Sequence, residues 1–424
     1  MNVSRTVSRT VSSLNHRAAL AAATAVVALV ASTGPALAES GQGDPGRLAL
    51  GQGSFAQGGF GHGGFAQGGF AQGRTAGGAV ARVAEHPQAD ALRAALVGLP
   101  DGEATSAVVR AGGSDGRWEG SAGVRDIRSQ APAVTDGRFR AGSVTKVVTA
   151  ALVLRLAADG KIDLDRPVQR YLPGLLTSEF EPVSVRQLLN HTSGIQGGDG
   201  FGDSWEEQYA HRFDTLKPED VVASGVAKGP EFGPGKQQHY LNVNYTILAM
   251  LVEKVTGKTY EEGAARYVLR PAGMRHTSFP GTDPRIHGPH NRGYQLVDGK
   301  RVDVTEWNVS DRWAAGDMIS TLDDLERLMT SLFRGEIVPR PQLEEMFTVP
   351  EGITGATKTA GLERFEVNGV EVWGKTGARP GYNTVLVATR DLSRTVVYTV
   401  TGTDAHAQGA AIGQRFAFPA FLGK

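Results

Sequence analysis

Ser143 and Lys146 form an SxxK pattern that could carry nucleophilic catalysis. Gly142 and Ser143 precede an apolar run from Val144 to Ala158, which predicts a buried helix with Ser143 at its N-terminus. Residues three apart share a helix face, so the Lys146 amine would lie on the same face as the Ser143 hydroxyl. A lysine desolvated by burial can serve as the base for such a serine. A capping serine beside a solvated lysine is the structural alternative, and this pattern alone does not separate the two.

Tyr240 and Asn242 precede a second apolar helix, predicted over Tyr245 to Val255. Residues two apart do not share a helix face, so these side chains must project from a loop or an extended segment. From there the phenol could relay a proton, and the amide could hold Lys146 or a substrate carbonyl. Taken alone, a tyrosine and an asparagine that complete a turn would be the simpler interpretation.

Lys375, Thr376 and Gly377 lie at the end of a strand predicted over Phe365 to Trp373. The stretch from Gly369 to Thr376 also matches the phosphate-loop pattern GxxxxGK followed by Ser or Thr. A phosphate loop needs a glycine-rich turn leading into a helix. Here VEVW is strand-like and ARPG follows the match, so the sequence argues against a nucleotide partner.

SxxK, YxN and KTG occur in this order, each on the element where it could act: a helix start, a loop and a strand end. In this combination the chain resembles the penicillin-recognising serine hydrolases. More narrowly, it resembles the branch of class C β-lactamases and secreted D-alanyl-D-alanine carboxypeptidases. The stretches that carry the resemblance are Arg140 to Lys146, Leu188 to Ile195, Tyr240 to Tyr245, Ala314 to Thr321 and Gly374 to Gly377.

The resemblance implies a role for each of these side chains. Ser143 would be the acylated nucleophile and Lys146 its partner base. Tyr240 would be the second proton-transfer group, and Asn242 an organising amide. The substrate-binding residues would be Lys375, Thr376, Gly377 and Ala378, the last of which would join the Ser143 N–H group in an oxyanion hole.

Departures from the family pattern leave the substrate open. The peptidase side of the branch often has histidine where this chain has Lys375, whereas lysine is typical of the lactamases. Arg364 falls near the position where some carboxypeptidases of this type place an arginine for the terminal carboxylate, and Arg379 is a competing candidate. Either arginine could instead be a surface charge at a strand end.

Histidine chemistry is a weaker interpretation. His191 could be combined with Ser193 or Ser143 into a Ser–His–Asp triad, but no GxSxG elbow surrounds either serine. The resemblance gives the HTSG stretch a structural role, holding a loop below the site. His287 and His290 lack a third ligand pattern and the chain has no cysteine, so the sequence predicts neither a metal nor a cofactor.

The elements that must position these residues are strands near both ends of residues 83–424 and helices mostly between them. The predicted strands are Thr105 to Ala111, Arg117 to Val124, Phe365 to Trp373, Asn383 to Thr389 and Thr395 to Thr401. The predicted helices are Gln88 to Leu99, Val144 to Ala158, Val185 to Leu189, Tyr245 to Val255 and Leu322 to Phe333. This order predicts an α+β fold, an antiparallel β-sheet flanked by helices with an inserted all-helical lobe. The resemblance makes that fold β-lactamase/transpeptidase-like.

The N-terminal 82 residues differ in composition from the rest. Residues 1–38 combine early arginines, an apolar run from Ala18 to Ala31 and an Ala-Leu-Ala site, which predicts a Sec-type signal peptide cleaved after Ala38. Residues 39–82 are a Gly/Gln/Phe-rich low-complexity segment, predicted to be a linker. Its GxGxxG match, Gly59 to Gly64, has no strand before it and no helix after it. Residues 83–424 would form the hydrolase domain.

The charge composition argues against one class of binding partner. Lys and Arg total 44 and Asp and Glu total 44, with no run of like charge, which argues against nucleic acid.

We expect a secreted monomer without an integral membrane anchor that acts on peptidoglycan D-Ala-D-Ala peptides or β-lactams. A D-alanyl-D-alanine carboxypeptidase is the leading hypothesis, with a β-lactamase or small-ester hydrolase as the alternative. A non-catalytic wall-binding protein that adheres through its Gly/Phe repeat is the alternative from a different class.

Overall fold

Residues 84–404 and 410–422 are described by the computed structural model, so the predicted signal peptide and linker lie outside the described residues. The strands are β1 (Ser106–Gly112), β2 (Trp118–Asp126), β3 (Ala131–Pro132), β4 (Phe139–Arg140), β5 (Tyr294–Val297), β6 (Lys300–Asp303), β7 (Ile319–Ser320), β8 (Glu363–Val367), β9 (Val370–Arg379), β10 (Tyr382–Ala388), β11 (Thr395–Thr401) and β12 (Thr403–Asp404). The helices are α1 (Ala89–Leu96), α2 (Thr145–Ala158), α3 (Val185–Leu189), α4 (Trp205–Ala210), α5 (Pro218–Ala227), α6 (Val243–Thr256), α7 (Tyr260–Ala264), α8 (Leu322–Phe333), α9 (Arg340–Leu343) and α10 (Ala410–Ala420).

One antiparallel sheet of seven strands organises the molecule, in the order β3-β2-β1-β11-β10-β9-β8. Its centre joins the first and last long strands of the described residues, because β1 pairs with β11 and Ser106 lies opposite Thr401. All seven residues of β11 are buried, as expected of a central strand with both faces covered. The predicted α+β fold with an antiparallel sheet is confirmed.

Helices cover both faces of this sheet and divide the core in two. On one face α1 and α10 pack against residues such as Tyr398 and Val400. On the other face α2, α6 and α8 form the larger core, which extends into the helices inserted between β4 and β5. Helix α2 lies at the centre of that core, since every residue from Thr145 to Leu154 is buried, as its all-round apolar sequence predicts.

The region from Phe365 to Trp373 is not one strand, as predicted, but a β-hairpin. Strand β8 ends at Val367, and β9 begins at Val370 and pairs with it antiparallel. The turn residues Asn368 and Gly369 have φ angles of 51° and 76°. Asn-Gly is the residue pair that a two-residue turn with two positive φ angles favours, so the sequence contained this signal.

Other elements lie close to their predicted positions. Helices α3 and α8 and strand β11 have the predicted bounds, while α1 ends at Leu96 rather than Leu99. Helices α4, α5 and α10 and the small sheet β12-β5-β6 were not predicted. No helix within the described ranges has the length and apolarity that a bilayer span requires.

Candidate active site

Ser143 lies in a 3₁₀ turn, Gly142–Val144, that runs directly into α2. The turn is held by a segment distant in sequence, because β4 pairs with β7 and the Ala141 N–H donates to the Met318 carbonyl at 2.9 Å. The Met318 N–H in turn donates to Thr145 Oγ1 at 3.1 Å. Ser143 is half-buried while its neighbours are buried, so its hydroxyl is held rigidly and still reachable.

Lys146, the second residue of α2, is buried and lies about one turn after Ser143. Its Nζ atom lies 2.6 Å from Asn242 Oδ1, 2.7 Å from the Ala315 carbonyl oxygen and 3.4 Å from Ser143 Oγ. A neutral amine has two N–H groups and one lone pair. The two close acceptors suit the two N–H groups, and Ser143 Oγ is within reach of the lone pair. Lys146 can therefore accept the Ser143 proton.

The segment that carries Tyr240 is held by hydrogen bonds to His191 from the residue before Tyr240 and the residue after it. His191 accepts the His239 N–H at its carbonyl (2.9 Å) and the Leu241 N–H at its Nδ1 atom (3.2 Å). The His191 ring centre lies 4.5 Å from that of Tyr240. Asn242, which follows, is the N-cap residue of α6. The predicted loop placement of Tyr240 thus corresponds to a short clamped segment before a buried helix.

Two lysine amines lie beside the Tyr240 ring. Lys146 Nζ is 4.8 Å and Lys375 Nζ 4.7 Å from the ring centroid. These three side chains come from α2, the loop before α6 and strand β9. The sequence patterns SxxK, YxN and KTG are therefore brought together in one cluster, which we call the catalytic centre: Ser143, Lys146, Tyr240, Asn242 and Lys375.

Two glycines let β9 approach the Ser143 turn closely. A Cβ atom on Gly377 would lie 2.0 Å from the Ala141 oxygen and 3.0 Å from the Ser143 nitrogen. Gly142 has a φ of 53°, and a Cβ there would lie 2.6 Å from the Ala378 nitrogen. The Ser143 and Ala378 amides are thus neighbours, which is the arrangement that an oxyanion hole requires.

Lys375 and Thr376 are buried in β9, beyond the last residue of β9 that pairs with β8. Lys375 Nζ donates to the Thr376 carbonyl at 3.1 Å. Burial lowers the pKa of Lys375 to about 8, against the opposing effect of Glu363. A carboxylate that enters the site would pair with this amine and hold it protonated.

The two arginines named from the sequence have different surroundings. Arg379 is buried at the end of β9 and makes a two-point ion pair with Asp311, with N–O distances of 2.9 and 3.2 Å. Arg364 is exposed on β8, opposite Trp373. Asp311 also lies 3.6 Å from an Arg312 nitrogen.

The histidines take structural contacts. Ser193 donates to Asn244 Oδ1 at 2.8 Å, which fixes the start of α6. Burial, with Lys146 and Lys375 nearby, holds the pKa of His191 well below its usual range. A neutral His191 keeps Nδ1 available as an acceptor for the Leu241 N–H. His287 pairs with Asp283 at 2.7 Å.

Several groups in the site were missed by the sequence reasoning. The Ala315 carbonyl that accepts from Lys146 lies in the AAGDMIS stretch, which was noticed only as part of the resemblance. Asp317 in the same stretch is buried, and burial raises the pKa of its carboxyl to about 7. No sequence pattern marked Asp311, the partner of Arg379, as a site residue, since a single aspartate outside any motif predicts no particular role.

Comparison with known proteins agrees with this geometry. The family model described as Beta-lactamase matches residues 80–416. Penicillin-binding protein 4* of Bacillus subtilis (strain 168) is 27% identical over 310 residues, which cover 69% of this chain and 66% of that protein. The chain thus spans slightly less than two thirds of that relative's length.

Solved structures share the fold. A D-stereospecific amidohydrolase from Streptomyces sp. is 32% identical, with a TM-score of 0.70, over 80% of this chain and 100% of that one. The D-amino acid amidase from Ochrobactrum anthropi SV3 is 23% identical, with a TM-score of 0.67, over 78% of this chain and 97% of that one, and shows the fold alone. With its SxxK, YxN and KTG residues gathered in one site, this chain belongs to the Beta-lactamase family of penicillin-recognising serine hydrolases.

Proposed function

We propose that the protein is a D-alanyl-D-alanine carboxypeptidase that removes the terminal D-alanine from peptidoglycan stem peptides. The observation that carries the proposal is the cationic character of the catalytic centre, where Lys375 is buried beside Tyr240. A substrate that ends in a carboxylate supplies a negative charge to pair with this amine.

The first half of the reaction forms an acyl-enzyme. Ser143 Oγ attacks the carbonyl carbon of the penultimate D-alanine while Lys146 takes the hydroxyl proton. The Ser143 and Ala378 amides bind the oxyanion of the tetrahedral intermediate. The C–N bond then breaks, Tyr240 donates its hydroxyl proton to the leaving amine, and D-alanine departs.

The second half releases the enzyme. A water molecule attacks the ester carbonyl carbon and gives its proton to the Tyr240 oxygen. The ester C–O bond breaks, Ser143 Oγ recovers the proton held by Lys146, and the shortened peptide leaves. Protons balance over the cycle, since each group ends in its starting state.

The test is intact-protein mass spectrometry after brief exposure to benzylpenicillin, with Ser143→Ala as the control, beside release of D-alanine from a D-Ala-D-Ala tripeptide. We expect an adduct of one penicillin mass on the wild type alone, together with D-alanine release. Drug consumption without an adduct would assign the protein as a β-lactamase instead. If the wild type gives no adduct and releases no D-alanine, the carboxypeptidase proposal is overturned and a small-ester hydrolase is favoured.

A D-stereospecific amidohydrolase is the second candidate, favoured by the 32% identity to the Streptomyces structure. An amino acid amide carries an ammonium group and no carboxylate, so the catalytic centre with its two lysines suits it less well. Turnover of D-phenylalanine amide faster than of the tripeptide would choose this candidate.

We also propose that residues 1–38 are a signal peptide and that the mature protein is a secreted monomer. The supporting observation is the arrangement of basic start, apolar run and Ala-Leu-Ala site in the sequence. N-terminal sequencing of secreted protein should read from Glu39, and light scattering should give the mass of one chain.

A further inference from the structure

A second cleft, of about 710 Å³, lies beside α8. Its walls come from the β1–β2 turn, the length of α8, the start of α9 and the β10–β11 turn. None of its lining residues belongs to the catalytic centre. Ala378 pairs with Asn383 near the start of β10, and Arg390 follows the end of β10, so the cleft lies roughly 20 Å along the strand from the catalytic centre.

Arginines dominate the lining of this arginine cleft. They are Arg117, Arg327, Arg334, Arg340 and Arg390, from four separate segments of the chain. Phe333 and Leu392 supply apolar surface between them. The volume is in the range of ligand-binding sites rather than of packing defects.

The carboxylates in the cleft are already engaged. Asp323 accepts from Arg110 at 2.8 Å and from Arg327 at 2.7 Å. Glu326 accepts from Arg117 at 2.7 Å. The third, Asp391, accepts from the backbone N–H and the hydroxyl of one serine in its own turn. Protein carboxylates therefore leave part of the arginine charge in the cleft without a partner.

Arg334 and Arg340 carry that remaining charge. Both are exposed, and neither guanidinium makes a hydrogen bond or ion pair with any residue in the described part of the chain. Each guanidinium presents five N–H donors in a planar fork that matches the oxygens of phosphate or carboxylate. Because arginine stays protonated at all working pH values, such a site would bind anions without titrating.

We propose that the arginine cleft binds a multivalent oxyanion, the phosphate or carboxylate groups of an anionic polymer. Arg334 and Arg340 would take separate anionic groups of one chain, and the apolar surface of Phe333 would contact the links between them. Binding there leaves the catalytic centre free, so the cleft would hold the enzyme on an anionic matrix while Ser143 works.

The experiment measures binding of the chain from Glu39 onward to labelled polyphosphate and to labelled poly-L-glutamate, by fluorescence anisotropy at 150 mM salt. We expect binding by the wild type and a loss of at least about tenfold in the R334E/R340E variant, since each charge-assisted contact contributes about one such factor. The control variant, R125E/R128E, reverses two exposed arginines on and after β2 and should bind within about twofold of wild type, because it removes no cleft contact. The polymer that binds more tightly identifies phosphate or carboxylate as the ligand group.

Two results would overturn the proposal: no binding of either polymer by the wild type, or equal losses in both variants, which would indicate unspecific charge attraction. Reaction with benzylpenicillin is followed in parallel and should be unchanged in R334E/R340E, which shows that the variant is folded. If the charge reversal lowers the melting temperature, R334Q/R340Q takes its place, with the same expected loss. The binding result does not depend on which substrate Ser143 acts on.

Discussion

In the catalytic centre the basic side chains are lysines that the fold removes from water, whereas the arginine cleft presents guanidinium groups to solvent. Lys146 and Lys375 are buried, and the pKa of Lys375 is lowered to about 8. Arg334 and Arg340 are exposed. A buried amine can gain and lose a proton near neutral pH, while an exposed guanidinium keeps its charge. These properties suit the proton transfer proposed for the first region and the ion binding proposed for the second.

The largest effect expected on the catalytic side follows from Lys146→Met. Loss of the amine next to Ser143 Oγ should slow acylation by benzylpenicillin about 10²- to 10⁴-fold, the range for a general base. Stopped-flow mass spectrometry measures the rate. Lys258→Met, on an exposed loop lysine, is the matched control and should react at the wild-type rate. Acylation of K146M at a similar rate would remove Lys146 as the base.

Arg379 is a buried guanidinium, whereas Arg334 and Arg340 of the cleft are exposed. Asp311→Ala should lower the free energy of unfolding by about 3–5 kcal/mol, because it leaves the Arg379 charge buried without its carboxylate. Urea denaturation measures the change. Asp199→Ala breaks an exposed pair with Lys228 and should cost at most about 1 kcal/mol. Equal costs would mean that Arg379 is better solvated than its burial indicates.

Gly377→Ala tests how closely β9 must approach Ser143. The added methyl group would meet the Ala141 oxygen, at 2.0 Å, and push the Ser143 and Ala378 amides apart. We expect kcat/KM for the peptide to fall about 10²- to 10³-fold, as on loss of an oxyanion-hole donor. Gly102→Ala, where a Cβ meets nothing within 4 Å, should leave it unchanged.

The pH profile separates the titrating amine from the permanent cations. Below about pH 8 Lys375 is protonated and attracts a substrate carboxylate; above it the charge is lost. The value of kcat/KM for the tripeptide should therefore fall as pH rises above about 8, toward tenfold per unit. A neutral ester should lack this decline. A decline that persists in Lys375→Met would place the responsible group elsewhere.

The smallest effect is expected in the arginine cleft itself. Arg334→Ala and Arg340→Ala remove exposed side chains, so the free energy of unfolding should stay within about 0.5 kcal/mol of the wild-type value. Thermal denaturation checks this. A larger loss would show that these arginines hold the fold together.

Sequence reasoning located the residues of the catalytic centre because SxxK, YxN and KTG, each weak alone, occur together in the order of one family, and the helix and strand beside them have clear local patterns. Helix α2 is mostly apolar on all sides, and every residue of β11 except Tyr398 is β-branched. The Ala315 carbonyl escaped notice because a backbone acceptor has no signature in residue type. The roles named for these residues stay predictions until the variants are measured.

Long-range partnerships were beyond sequence reasoning. Arg379 and Asp311 are paired across 68 positions, and no local pattern links them. The arginine cleft is assembled from four segments, none of which is basic enough alone to attract attention. The β8–β9 turn is a different case, since its Asn-Gly pair is a local signal that was read as strand interior.

The pairing of β1 with β11 also determines when this protein can fold. Val108 lies opposite Thr399, so the centre of the sheet forms only when the first and last long strands are both available. Contacts so distant in sequence are costly to close and make folding slow. Until then the edge of β1 that will pair with β11 is open to pairing with other chains. A chain released before residue 401 should therefore aggregate rather than fold.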